Sequence, residues 1–198
     1  MDIEDLGRDP NAALRAWYQE ALACGMKEPS GMTLATVDAH GQPDARIVLL
    51  KGIDDDGALL FFTNYDSAKG RQLAANPRAA LVLWWNPLRR QVRIRGQVVR
   101  LEAEEADAYH ASRPRSSQLS AWGSSQSEPV ADRGTLDAQY DAQEQRFGDG
   151  EIPRPPHWGG YRLIPGEIEF WQHQDARFHD RLLFLRDGDG WTVERLQP

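Results

Sequence analysis

The 198-residue chain has one cysteine and no long apolar run. Cys24 alone can form neither an intramolecular disulfide nor a thiolate metal site. The longest uninterrupted apolar segment, residues 79–85, is far shorter than the roughly 20 residues of a membrane-spanning helix. The chain also opens without the basic, apolar and small-residue order of a secretory signal. We therefore expect a cytoplasmic protein without a membrane segment.

Familiar nucleotide and metal motifs are also missing. No GxGxxG follows a predicted strand and no GxxxxGK[ST] occurs, which excludes the two common phosphate-binding loops. There is no HExxH and no Cys/His cluster, so we predict no metal site. The formal net charge of -7 argues against a nucleic-acid ligand, since proteins that bind nucleic acid usually carry a basic stripe.

Lysine is scarce, because only Lys27, Lys51 and Lys69 occur among the 23 basic residues. Arginine presents a planar fork that suits anions such as phosphate. A general compositional bias is enough to explain why most of the basic residues are arginine. Clusters of cations in an acidic chain, however, indicate a specific anionic ligand.

Residue periodicity predicts more strands than helices, and tight turns join the early strands. Asp9 and Gly25 favour the ends of a first helix at residues 11–24, and further helices are predicted at residues 67–75, 102–112, 116–122 and 135–147. Predicted strands cover residues 32–37, 45–50, 58–63, 78–85, 91–101, 160–164, 168–172, 181–186 and 191–196. This pattern predicts a mainly β (α+β) fold, an antiparallel barrel or closed sheet with peripheral helices. We find no internal domain boundary and treat residues 1–198 as a single domain.

A first candidate cluster lies in the predicted strand that ends at residue 50. Alternation puts Arg46, Val48 and Leu50 on one face, and Lys51 follows on the other. The two cations bracket an apolar strand and are suited to holding a phosphate at its rim. The alternative is two solvated charges at strand ends.

A second cluster lies where the strand FFTN, residues 61–64, gives way to a short helix. Backbone N–H groups at a helix start attract phosphate, and Lys69 would strengthen such a site. The alternative is that Ser67 only caps the helix and Lys69 points into solvent.

A third cluster combines Tyr109, Arg113 and Ser117 around the end of a predicted helix. Tyr109 and Arg113 are four residues apart, a spacing that puts two side chains on one helix face. A phenol, a guanidinium and a hydroxyl make a suitable set of phosphate donors. The alternative is an exposed arginine at a helix end.

A fourth cluster follows Trp171. If the segment is extended, Arg177, His179 and Arg181 lie on one face, where three cations repel one another unless an anion or a catalytic task holds them. A histidine there can also titrate near neutral pH. A surface histidine is the alternative. We expect the other histidines to be structural or exposed; these are His40, His110, His157 and His173.

Seven segments together resemble the pyridoxamine 5'-phosphate oxidase family. They are RIVLLK (residues 46–51), FFTN (61–64), RQV (90–92), SRPRSSQLSAW (112–122), WGGYR (158–162), IEFWQ (168–172) and RFHDR (177–181). The match runs from the first helix to the C-terminus. Any one segment would be a weak signal, whereas their common order along the whole chain is specific.

The resemblance implies an FMN-binding split β-barrel, an antiparallel and Greek-key-like barrel with peripheral helices. It also implies a homodimer with a C-terminal dimerisation region at about residues 158–198 and FMN at the subunit interface. The residues implied as FMN contacts are Arg46, Ile47, Val48, Leu49, Leu50, Lys51, Phe62, Thr63, Lys69, Gln91, Gln126, Ser127, Trp171 and Arg181. Those implied as ligands of the substrate phosphate are Lys51, Tyr109, Arg113 and Ser117. Arg177 and His179 are implied as the catalytic, substrate-binding pair that positions a pyridine ring against the flavin.

The activity implied is oxidation of pyridoxine or pyridoxamine 5'-phosphate to pyridoxal 5'-phosphate by oxygen, with release of hydrogen peroxide. Two features depart from the family pattern: Ala68 stands where many relatives have arginine, and residues 1–7 are acidic where relatives often carry a basic segment that can cover the site. Three alternatives stay open. They are a same-fold FMN oxidase of the phenazine-pathway type, a non-catalytic flavin or vitamin-phosphate binding protein, and a haem-handling split-barrel protein.

Overall fold

Nine strands form one sheet and six helices lie around it in a computed structural model that describes residues 1–198. The strands are β1 (Gly31–Val37), β2 (Pro43–Leu49), β3 (Gly52–Ile53), β4 (Leu59–Asn64), β5 (Arg78–Trp85), β6 (Arg90–Arg100), β7 (Trp158–Gln172), β8 (Asp180–Asp187) and β9 (Gly190–Arg195). The helices are α1 (Ile3–Leu6), α2 (Pro10–Ala23), α3 (Ala68–Ala75), α4 (Ala103–Ser112), α5 (Arg115–Gly123) and α6 (Arg133–Phe147). Every strand pair is antiparallel, which confirms that prediction.

The sheet is curled because its two edges are neighbours in the sequence. The hydrogen-bonded order is β2-β1-β5-β6-β7-β4-β3, with β8 and β9 continuing from β7. Only Leu50 and Lys51 separate edge strand β2 from edge strand β3. The Leu50 N–H donates to Ser30 O at 2.8 Å and the Lys51 N–H donates to Leu60 O at 2.9 Å. The sheet therefore rolls until its edges meet, and Lys51 lies at the seam.

The prediction of two separate strands at residues 160–164 and 168–172 is wrong, because β7 is continuous through Pro165 and Gly166. Arg95 pairs with Glu167 while its neighbour Gly96 pairs with Pro165, so Gly166 has no partner opposite it. This is a β-bulge, the place in a sheet where a proline without an N–H is tolerated. Pro165 and Gly166 thus bend the strand instead of ending it.

The core fills the inside of the curled sheet. Residues alternate inward along each strand, as in β6, where Val92 and Ile94 are fully buried. Helix α2 covers this core with an apolar stripe, in which Leu14 and Trp17 are buried and Trp17 meets Phe170 edge to face.

Short helix α1 was not predicted, and it packs Ile3 and Leu6 against the same core. None of the helices is both long enough and apolar enough to cross a membrane.

Helix α3 starts directly after β4 with a tightly packed first turn. The buried Ser67 hydroxyl accepts a hydrogen bond from the Gly70 N–H at 3.3 Å. A Cβ on Gly70 would lie 2.0 Å from the carbonyl oxygen of Tyr65, a backbone atom that cannot move aside alone. A glycine is therefore required at this helix start.

We expect Gly70→Ala to destabilise the protein by about 1–3 kcal/mol, since the added methyl group has no space. Gly134, in the first turn of α6, is the matched control, because its nearest neighbour would be Asp132 Oδ1 at 3.5 Å. Gly134→Ala should be neutral or stabilising by up to ~1 kcal/mol from helix propensity. Denaturant unfolding of both variants measures the difference, and equal stability of Gly70→Ala and the parent would contradict the packing argument.

Candidate active site

A cavity of about 450 Å³ opens beside the seam of the sheet, between strands β2 and β4 and helix α4. Eleven residues predicted for binding line it, together with Pro114 and Trp158. The eleven are Ile47, Val48, Leu49, Lys51, Phe62, Thr63, Lys69, Tyr109, Arg113, Ser117 and Gln126.

One wall of the cavity is a stack of aromatic rings. The Phe62 and Tyr109 rings are nearly parallel with centroids 3.7 Å apart, and Trp158 is parallel to both. Gly160 makes room for the stack, since a Cβ there would lie 2.8 Å from Phe62 Cε1. The wall is flat and apolar.

Arg113 lies across this aromatic wall with part of its charge unpaired. Its guanidinium carbon is 4.4 Å from the centre of the Trp158 ring, and its buried Nη1 has no hydrogen-bond partner. Burial lowers the pKa of Arg113. An unpaired guanidinium N–H in a cavity wall is suited to an anionic ligand, because charge-assisted bonds to phosphate are among the strongest in proteins.

Arg113 does not share a helix with Tyr109, as the four-residue spacing had suggested. Helix α4 ends at Ser112, and Arg113 caps it with an extended backbone. Pro114 follows, and proline disfavours the helical conformation for the residue before it. Both side chains nevertheless reach the same cavity.

Lys69 forms the polar end of the cavity at the start of α3. Its Nζ donates to Gln126 Oε1 at 2.7 Å, with Ser67 Oγ at 3.2 Å and Thr63 Oγ1 at 3.3 Å. Burial is the main cause that lowers the pKa of Lys69, the nearby Arg46 lowers it further, and Asp44 acts in the opposite direction. An anion in the cavity would compensate both cations.

Ser127 holds the loop that carries Gln126. The Ala68 N–H donates to Ser127 Oγ at 3.1 Å, and Ser127 has a left-handed backbone with φ 75°. Ser127 itself does not line the cavity. The Ser127 hydroxyl thus already accepts the N–H of Ala68, the residue that stands where many relatives have arginine.

Two predicted residues of the RIVLLK segment are not among the residues that line the cavity. Arg46 donates to Thr36 Oγ1 at 2.6 Å and to Gln72 Oε1 at 2.9 Å, and it pairs with Asp44 at 2.5 Å. Leu50 is buried in the core. Arg46 is therefore held by partners within the chain and does not line the cavity with Lys51, and the expectation that the two cations bracket one phosphate stays a prediction.

A second group of predicted residues lies elsewhere on the sheet. One register line crosses strands β5, β6, β7 and β8 and carries, in order, Trp84, Gln91, Trp171 and Arg181. We call it the Trp84–Arg181 row. The two tryptophan rings meet edge to face with centroids 6.0 Å apart.

The catalytic candidates lie next to this row in a turn that is not extended. Residues Asp175–Arg177 form a 3-10 turn in which Ala176 and Arg177 have positive φ angles of 55° and 64°. The common face of Arg177, His179 and Arg181 that an extended segment would give is therefore absent. The turn instead brings the His179 ring to 4.6 Å from Trp171 and 5.1 Å from His173.

A backbone contact orients His179. The Gln174 N–H donates to His179 Nδ1 at 3.2 Å, so the neutral imidazole carries its proton on Nε2. His179 can then donate a hydrogen bond through Nε2 to a ligand over the row.

Sequence reasoning assigned no site role to Trp84, Trp158 or His173. Trp84 was detectable, since alternation along two predicted strands pairs it with Gln91. Trp158 entered the prediction only as the first letter of the WGGYR motif. His173 was expected to be structural or exposed, and its approach to His179 depends on a turn that was not predicted.

The cavity and the row are separate surfaces of the chain. Trp158 of the cavity and Trp171 of the row lie near opposite ends of β7, thirteen residues apart. At ~3.3 Å per residue, about 40 Å of strand separates them. Neither Trp171 nor Arg181 lines the cavity.

Comparison with known proteins gives two family matches that together cover most of the chain. Residues 18–146 match the family described as pyridoxamine 5'-phosphate oxidase. Residues 158–198 match the pyridoxine 5'-phosphate oxidase C-terminal dimerisation region.

Two curated relatives illustrate the similarity. A pyridoxine/pyridoxamine 5'-phosphate oxidase of Burkholderia lata is 53% identical over 201 residues, covering 100% of this chain and 93% of the relative. The protein of the same name from Ralstonia pickettii is 54% identical over 199 residues with the same coverage.

Two solved structures confirm the split-barrel fold. PhzG from Burkholderia lata, in complex with tetrahydrophenazine-1-carboxylic acid, has a TM-score of 0.92 at 34% identity and covers 98% of this chain and 95% of that one. A pyridoxamine 5'-phosphate oxidase-related, FMN binding protein from Nostoc punctiforme has a TM-score of 0.76 at 20% identity, with coverages of 93% and 97%.

We expect inorganic phosphate to raise the melting temperature of the ligand-free protein, because a ligand that binds only the folded state stabilises it. Lys69→Met should abolish most of that shift. Lys27→Met, a change at an exposed lysine that does not line the cavity, should keep it. Differential scanning fluorimetry across a phosphate titration measures all three proteins.

The same shift should weaken in alkaline solution, at a lower pH than an ordinary lysine would require. The lowered pKa of Lys69 means that its charge is lost at a lower pH than that of an ordinary lysine. An equal phosphate response in the parent and Lys69→Met would show that the anion binds elsewhere.

Proposed function

Because the chain belongs to the pyridoxamine 5'-phosphate oxidase family, we propose that it oxidises pyridoxine or pyridoxamine 5'-phosphate to pyridoxal 5'-phosphate. FMN is the proposed cofactor and molecular oxygen the proposed acceptor. The observation that carries the proposal is the unpaired guanidinium of Arg113 in a cavity with a flat aromatic wall. A planar ring compound with a phosphate group has the shape and charge for such a cavity.

The donors around Lys69 fit the phosphate of FMN. Lys69 at the start of α3 and Thr63 near the end of β4 both lie beside Gln126, where the dipole of α3 favours an anion. The neighbouring charge of Arg46 adds to this preference. These residues would hold the phosphate end of the cofactor.

The Trp84–Arg181 row fits the ring end of the cofactor. Gln91 supplies amide donors and acceptors, Trp171 a flat surface and Arg181 a cation. A cofactor that touches both the row and the Lys69 donors needs a second subunit, because one subunit holds them at opposite ends of β7. The match to a dimerisation region supports a homodimer whose two sites each draw on both subunits.

The substrate phosphate is assigned to Lys51, Tyr109, Arg113 and Ser117. All four line the cavity, and together they offer charged and hydroxyl donors. They would fix the substrate so that its reacting carbon faces the flavin, and such positioning accounts for a large part of many rate enhancements.

Arg177 and His179 are assigned to the pyridine ring and its substituents. The Nε2–H of His179 donates to an oxygen or nitrogen of the substrate, while Arg177 complements negative charge on it. FMN, when bound, accepts a hydride equivalent from the substrate carbon and passes the electrons to oxygen, giving hydrogen peroxide. An amine substrate leaves as an imine, which water hydrolyses to the aldehyde.

An oxidase for another aromatic compound is the second candidate, favoured by the similarity to PhzG. The donors around Arg113 support a phosphorylated substrate instead. A non-catalytic flavin protein and a haem-handling protein are further outcomes that the same assay separates.

The purified protein should be yellow and should consume oxygen with both phosphorylated vitamers. We expect no comparable turnover with the dephosphorylated vitamers or with a reduced tricyclic aromatic acid. Turnover of the tricyclic acid alone would favour the phenazine-type reading. Flavin binding without oxygen uptake would indicate a binding protein, and a Soret band a haem protein.

In the same assay, Arg113→Met should raise the KM for phosphorylated substrates by about ten- to a hundredfold, with a smaller change in kcat. This range corresponds to the loss of one charge-assisted hydrogen bond, ~1.5–3 kcal/mol. The control is Arg133→Met on the outer surface of α6, where the side chain pairs only with Asp137. An unchanged KM in Arg113→Met would remove Arg113 from the substrate site.

Subunit complementation tests the shared site. Lys69→Met and Arg181→Ala should each be inactive as homodimers. In a mixed dimer of the two variants, one of the two sites combines an intact cavity with an intact row. With random assortment about half of the dimers are mixed, and each mixed dimer has one intact site of its two. The mixture should therefore recover about a quarter of the parental activity. No recovery would place both groups in the same subunit's site.

A further inference from the structure

Glu169 is the only buried carboxylate of the chain, with 6% of its surface exposed. It lies on β7 between Ile168 and Phe170, which point into the core, so its side chain projects from the opposite, outer face of the sheet. A carboxylate that leaves water loses hydration and keeps its charge only if cations or donors replace that hydration. The residues that contact Glu169 therefore indicate the role of its negative charge.

Two arginines from the flanking strands share the carboxylate. Arg93 Nη1 on β6 lies 2.9 Å from Oε2, and Arg181 Nε on β8 lies 2.8 Å from Oε1. Each oxygen holds one guanidinium. The three residues form a bridge across β6, β7 and β8. Arg181 belongs to the Trp84–Arg181 row, and the pair Arg93 and Glu169 lies two residues along the strands from the pair Gln91 and Trp171.

The bridge fixes the direction of the Arg181 side chain. Its Nε is held by Glu169, and its Nη1 donates to Gln197 O at 3.0 Å. A guanidinium is rigid and planar, so two fixed nitrogens determine the position of the third. Arg181 Nη2 makes no hydrogen bond within the chain and stays available beside Trp171.

We propose that Glu169 is a positioning residue that orients Arg181 for contact with the flavin. The inference rests on the proposed function, because it takes the row as the ring end of the cofactor site. Glu169 acts through Arg181 and touches neither cofactor nor substrate. A similar pair one step along the strands, Arg95 with Glu167, is more exposed, with side chains at 58% and 33%, and lies farther from the row.

The test compares Glu169→Gln with Glu167→Gln, the matched change on the same strand. Glutamine keeps the shape of the side chain but removes the charge that holds both arginines. We expect the Kd for FMN to rise about tenfold in Glu169→Gln, equivalent to ~1.4 kcal/mol, and to stay unchanged in Glu167→Gln. Quenching of flavin fluorescence during titration of the apoprotein measures both, and thermal unfolding of the apoproteins shows whether either variant is destabilised.

A double-mutant cycle separates positioning from a general structural role. If Glu169 acts through Arg181, then Glu169→Gln should add nothing to the Kd once Arg181→Ala is present. The visible circular dichroism of bound flavin should change in the same way in Glu169→Gln and Arg181→Ala. A full additional tenfold loss in the double variant would overturn the inference.

Failure of the inference differs from failure of the proposed function. If the parent protein and Glu169→Gln bind FMN equally well, only the role of Glu169 is overturned. Parent protein that binds no FMN overturns the proposed function and this inference with it.

Discussion

Closure of the sheet by a two-residue connection determines where the site can form. Strands β2 and β3 are the two edges of the hydrogen-bonded order, yet only Leu50 and Lys51 join them. Leu50 faces the core and Lys51 faces the cavity. Because side chains alternate along an extended chain, burying Leu50 requires Lys51 to point outward at the seam. The apolar core and the cationic cavity are therefore two results of one connection.

Strand β7 has the second organising role, since it carries both halves of the proposed site. Trp158 near its start contributes to the aromatic wall, and Trp171 near its end belongs to the row. The bulge at Gly166 lets one strand pair with β6 along its whole length while changing direction. Because the two halves are far apart along this strand, the proposed dimer would use them in two different ligand sites. Glu169 lies on the same face of the sheet as the row.

Local pattern predicted most of the fold and half of the site geometry. Alternation and turn residues identified the strands to within two residues, except for the unpredicted β3 and the continuous β7. Eleven of the residues predicted from the motifs line one cavity. Pro165 and Gly166 were misleading because a bulge and a strand end have the same sequence signal. The turn at Arg177 was also missed, since positive φ at a non-glycine residue depends on contacts that no local pattern contains. The hydrogen bond from Arg46 to Gln72 was likewise not predictable, because it joins residues that are distant in the sequence.

The placement of the few lysines has a consequence for the proposed reaction, whose product is an aldehyde. Pyridoxal 5'-phosphate condenses with primary amines, and any exposed lysine is a target for such a product. Two of the three lysines, Lys51 and Lys69, line the cavity itself. Outside the cavity the chain offers only the Lys27 side chain as a lysine amine, so the use of arginine for nearly all of its positive charge leaves few side-chain amines with which the proposed product can react.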